Sequence, residues 1–102
     1  MKNGVRAGTR VLVVHAVDCS TDVERQGGPR FGLVVSKAVG NAVVRHHTSR
    51  RLRHLAMDAI ARETARPQCD YVLRALPGID EATAEELSHH FSAALRKAHG
   101  KL

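Results

Sequence analysis

The chain is 102 residues long, 43% hydrophobic and only 3% aromatic, so it has room for one modest core and no second one. Its 16 Lys and Arg against 10 Asp and Glu give a formal charge of +6 and an isoelectric point near 10.2, pointing to a polyanionic partner, nucleic acid before a membrane surface. Short apolar runs exclude a membrane span, residues 1–10 lack the apolar centre of a secretory signal, and Cys19 and Cys69 form no Cys-x-x-Cys motif, so a cytoplasmic protein with two thiols is expected.

Residues 1–8 are polar, hold two glycines and read as a loop or frayed start. Residues 11–17 (VLVVHAV) are a β-branched and aliphatic run, the pattern of a buried strand. Residues 18–29 carry turn formers and end Gly27-Gly28-Pro29, a loop. Residues 31–36 (FGLVVS) read as a second strand, expected to pair antiparallel with the first. Gly40-Asn41 stops the extended pattern, and Asn41 is placed to cap a helix. Val44, Thr48, Leu52, Leu55 and Ala59 then recur on one helical face, with Pro67 as the stop, so the helix is expected to run to about Arg66. Residues 71–76 (YVLRAL) make a third strand. After Pro77-Gly78, Thr83 can cap a last helix whose stripe is Leu87, Phe91, Ala94, Leu95 and Ala98.

The order β-β-α-β-α on one core makes the fold class α+β, a small α/β sandwich forming a single domain over 1–102. By the general rule, the strand–helix–strand unit from 31 to 76 would cross over right-handed.

Chemistry concentrates in residues 37–54, KAVGNAVVRHHTSRRLRH. At about 100° per residue, His46, His47, Arg50, Arg51, Arg53 and His54 sweep the arc opposite the apolar stripe, with Arg45 nearer its edge. No acidic residue lies between Lys37 and Met57, so nothing four residues away neutralises the patch, and a polyanion would relieve the repulsion. On charge count alone a solvated basic face explains the run equally well. Arginine favours RNA, because a planar guanidinium forks onto phosphate and stacks on bases. The Gly40-Asn41 entry either presents N–H groups to phosphate or simply caps the helix.

This stretch resembles the protein component of bacterial ribonuclease P, whose members carry a pattern like Lys-x-x-Gly-x-Ala-Val-x-Arg-Asn-Arg-x-Lys-Arg-x-x-Arg. Lys37, Gly40, Ala42, Val43, Arg45, Arg50 and Arg53 stand in register with it, and the flanking strands and last helix extend the likeness over nearly the whole chain. The resemblance implies an RNA-binding subunit that assists removal of the 5′ leader from precursor tRNA. Catalysis then belongs to the RNA subunit and its bound magnesium; the protein holds no catalytic residue, metal or cofactor of its own. It further implies RNA contacts by Lys37, Arg45, Arg50 and Arg53, to which the basic arc adds His46, His47 and Arg51 and the helix entry adds Asn41. Leader contacts would come from Val13 and His15, on one face of the first strand. It also implies a left-handed β-α-β crossover, against the general rule.

Two features depart from the family pattern. Arg-Asn-Arg becomes Arg45-His46-His47 and the next Lys position is Ser49, which removes fixed charge and implies weaker or pH-dependent RNA binding. Family members usually begin with a phenylalanine-bearing helix that walls the leader cleft; the chain starts after that point, so an upstream in-frame segment encoding it is expected. The alternative is a general RNA-binding module of ribosomal-protein type, which would bind many structured RNAs alike. A DNA-binding helix-turn-helix protein would need a short helix where residues 11–17 read as a strand, and no nucleophile or paired-carboxylate constellation suggests a self-sufficient enzyme.

Overall fold

The computed structural model describes residues 4–19 and 28–102. Its elements are β1 (Gly4–Gly8), β2 (Leu12–Asp18), β3 (Arg30–Val34), α1 (Ala42–Ala61), β4 (Cys69–Ala75) and α2 (Ala84–Gly100), with short 3-10 turns at Lys37–Val39 and Ile79–Glu81. The fold is α+β: a mixed four-stranded sheet in the order β1-β2-β4-β3, covered by two helices. The loop expected at 18–29 falls mostly outside the described residues.

Two strand expectations are corrected. Residues 4–8 form a strand, so the order is β-β-β-α-β-α. Gly4 and Gly8 hide it in the sequence, but Val5 and Ala7 alternate toward the core and the hairpin to β2 is closed by Thr9 N–H donating to the Leu12 carbonyl at 2.8 Å. The strands at 12–18 and 30–34 do not pair with each other. β4 lies between them, antiparallel to β2 and parallel to β3. Burial fits the insertion: Cys69, Tyr71, Leu73 and Ala75 are all buried on one face of β4, whereas β3 alternates between exposed and half-buried residues and takes the edge.

Register divides the sheet into two faces. Val5 and Ala7, then Leu12, Val14 and Ala16, then Tyr71 and Leu73, then Phe31 and Leu33 are cross-strand neighbours on the helix-covered face. There α2 lies across β2 and β1, and Leu87, Phe91, Ala94, Leu95 and Ala98 are buried, as the stripe predicts. Few aromatics are available, and the sheet uses two in one place: Phe31 stacks on Tyr71 with ring centroids 4.7 Å apart.

The helix starts follow the sequence closely. Asn41 Oδ1 accepts from Val44 N–H at 2.9 Å. Thr83 and Glu86 form a reciprocal capping box, with bonds of 3.1 and 2.8 Å. The end of α1 is corrected: the helix stops at Ala61, not near Arg66. Glu63 takes a left-handed φ of 58°, and the N–H groups of Thr64 and Ala65 both turn back to the Ala59 carbonyl. With Glu rather than Gly or Asn at that position, the sequence carries no mark of the stop.

Candidate nucleic-acid interface

α1 buries Thr48, Leu52, Ala56 and Ala59 and turns the opposite arc to solvent. His46, His47, Arg50, Arg53 and His54 are all exposed there, and Lys37 and Asn41 are exposed just before the helix starts. Among the described residues no ion pair involves any of these side chains; the first acidic side chain along the helix, Asp58, is taken by Arg62 at 2.9 Å. The charges therefore stand uncompensated over about three turns, an arrangement that attracts phosphate and is weakened by salt.

Gly40 is needed for this geometry. A Cβ there would sit 2.8 Å from Val44 Cγ1 and 2.9 Å from Val44 Cβ, and φ is 158°. Any side chain would push the capping loop off the first turn, moving Asn41 and Arg45 with it.

The basic residues expected from the sequence do not form a single class. Arg45 is half-buried, and its Nε is enclosed with no hydrogen-bond partner among the described residues, leaving the outer guanidinium nitrogens to meet a ligand. Arg51 is turned inward: it donates to the Ala82 carbonyl at 2.6 Å and, more loosely, to the Ile79 carbonyl at 3.5 Å. It ties α1 to the turn that enters α2. Asn41 spends its side-chain oxygen on the cap, so only its amide N–H groups remain to offer.

Val13 and His15 lie on the other sheet face, which no described helix covers. Both are half-exposed, beside half-exposed Val17 and Val72. Register places His15 between Arg6 and Val72, and Val13 between Gly8 and Arg74. Arg6 and Arg74 are exposed at the flanks, while Arg30 on the same face is held in a two-pronged bond to Asp70 at 3.0 and 3.1 Å. This face is therefore an apolar strip with one imidazole and cationic edges. Arg74 was readable as the outward position of a strand in which Tyr71 and Leu73 point inward; Arg6 was hidden with β1.

Behind the sheet, Tyr71 Oη accepts from the Arg66 N–H at 2.9 Å and lies 2.7 Å from His99 Nε2. Burial pushes the Tyr71 hydroxyl up to about 12, and burial, helped by Arg66, lowers His99, so the pair is a phenol donating to a neutral imidazole. His99 is thus a structural residue. No described helix is long and apolar enough to cross a membrane.

The family model described as Ribonuclease P matches residues 1–99. A ribonuclease P protein component from Corynebacterium glutamicum is 48% identical, with 96% of this chain and 82% of that protein covered. The solved RNase P protein of Staphylococcus aureus superposes with a TM-score of 0.75 at 23% identity, covering 95% of this chain and 83% of that one. That of Thermotoga maritima gives 0.76 at 17% identity, covering 94% and 84%. At such identities the two structures speak to the fold alone, the mixed four-stranded sheet with two helices.

Proposed function

The chain belongs to the ribonuclease P protein family, and from that membership we propose that the exposed arc of α1 is the surface that docks the catalytic RNA. As a protein component of ribonuclease P, the tRNA-maturing endoribonuclease that removes the 5′ leader, it associates with ribonuclease P RNA. The docking groups are Lys37, the Asn41 amide, Arg45, His46, His47, Arg50 and Arg53, presented to the phosphodiester backbone. Arg51 positions the helix from behind. The single observation that carries this reading is a face of α1 whose cations make no ion pair among the described residues, with no acidic side chain on the helix before Asp58.

The open sheet face holds the single-stranded leader of precursor tRNA. Val13 and His15 contact its bases, and Arg6 and Arg74 flank its phosphates. Chemistry stays with the RNA, whose bound magnesium supplies the hydrolytic activation; the protein orients substrate and replaces counterions the RNA otherwise needs. The complex works in the cytoplasm.

Cleavage of precursor tRNA by the cognate RNA, with and without the protein across a magnesium series, tests the proposal. Stimulation greatest at low magnesium supports it. No gain at any magnesium concentration would overturn it, and equal binding to unrelated structured RNAs would favour a general RNA-binding module.

A further inference from the structure

A cavity of 340 Å³ opens between α1 and the first turn of α2, beside the basic arc. Leu55 and buried Leu87 form its floor, exposed Ala84 stands at its mouth, and the imidazoles of His47 and His54, two helical turns apart on α1, line it. We propose that this cavity receives one unstacked nucleobase of the docked RNA, with His54 as the ring on which the base stacks.

The occupant follows from the chemistry of the walls. The lining is mostly apolar, and the volume lies at the low end of the roughly 300–1,000 Å³ of small-ligand sites, the scale of a single planar group. The apolar walls, Leu55, Ala84 and Leu87, offer a phosphate no hydrogen-bonding side chain. A phosphate is favoured beside Arg50, which also lines the cavity and is exposed. A nucleotide satisfies both: the neutral base enters and its phosphate stays with Arg50. One wall is also fixed in advance. Arg51, which lines the cavity, is held by the Ala82 and Ile79 carbonyls and does not swing in to fill it. Imidazole faces and guanidinium planes are the groups on which splayed RNA bases stack. The larger cavity of 450 Å³ at the other end of the helix pair suits a base less well. Asp58 and Arg62 line it and neutralise each other, its one further cation is Arg96, and it lies away from the uncompensated arc of α1.

This assignment rests on the docking of RNA along α1, and its test separates the two. Affinity for cognate ribonuclease P RNA is measured over a salt series for the full chain and its variants, each checked for cooperative thermal unfolding. Stacking of one base is worth about 1–3 kcal/mol, so His54→Ala should weaken binding roughly 5- to 150-fold. His54→Phe, which keeps the ring and has no charge, should restore it. Ala84→Leu, filling the mouth from an exposed position, should weaken binding with an unchanged salt slope, whereas Ala61→Leu, exposed at the far end of α1, should bind like wild type. The His54→Phe protein binding as weakly as His54→Ala, or Ala84→Leu binding as tightly as wild type, would remove the base from the cavity. If the Ala84→Leu protein fails to fold, the two His54 variants still decide. Arg50→Ala, read in the same series, reports on docking itself: a lowered slope beside His54 and Ala84 variants that bind like wild type removes only the pocket.

Discussion

Tyr71 Oη and His99 Nε2 lie 2.7 Å apart, joining the central strand to the last turn of α2. His99 is lowered by burial and by Arg66, so the unfolded chain binds its proton more readily than the folded one. Its stabilising contribution is complete above the ordinary value of 6.5 and is lost as pH falls below that value. Urea unfolding at a series of pH values should show a smaller acid loss for His99→Gln than for wild type. Parallel curves would contradict the pairing.

Tyr71 gives the alkaline counterpart. It is the only tyrosine, and the chain has no tryptophan, so phenolate absorbance reports this one group. Raised mainly by burial from 10.0 to about 12, it contributes stability that is present below 10 and lost as pH rises through 12. The folded protein should ionise near 12 and the urea-unfolded chain near 10. Tyr71→Phe leaves the Arg66 N–H and His99 Nε2 without this partner and should cost about 1–3 kcal/mol.

Gly40→Ala should destabilise the protein by about 1–3 kcal/mol through the clash with Val44, and RNA affinity should fall with it as the capping loop moves. Adding Val44→Ala should recover only part of the loss, because Val44 Cβ itself lies 2.9 Å from the new methyl carbon. Denaturant midpoints of the single and double variants check this; an unperturbed Gly40→Ala protein would contradict it.

Arg51 and Arg50 are adjacent, yet their replacements should fail differently. Arg51→Ala frees the Ala82 and Ile79 carbonyls and should lower stability by about 1.5–3 kcal/mol, with the salt dependence of RNA binding unchanged. Arg50→Ala should change stability by less than about 0.5 kcal/mol, since its side chain is exposed. Thermal unfolding of the two variants separates them.

That contrast marks where the sequence stops being informative. Local signals read through well: the Asn41 cap, the Thr83–Glu86 box and both apolar helix stripes depend on residues a few positions apart. The orientation of Arg51 depends on a carbonyl 31 residues away, which no helical period contains. The strand order was hidden for the same reason, because β4 takes the centre through its pairing with strands on either side. β1 is not legible in the sequence because a five-residue strand bounded by glycines has too few side chains to show alternation. On the open sheet face, Val13 and His15 were legible by alternation, but the cationic flanks required the register.

If the exposed arc of α1 neutralises phosphates of ribonuclease P RNA, each contact must show in the salt dependence of binding. The slope of log affinity against log salt, compared between wild type and Arg50→Ala with the cognate RNA, reads this without intermediate steps. Loss of one phosphate contact should reduce the magnitude of the slope by roughly 0.7–0.9 while the protein stays folded. An unchanged slope for the folded Arg50→Ala protein would contradict docking through this arc and leave Arg50 as a solvated surface charge.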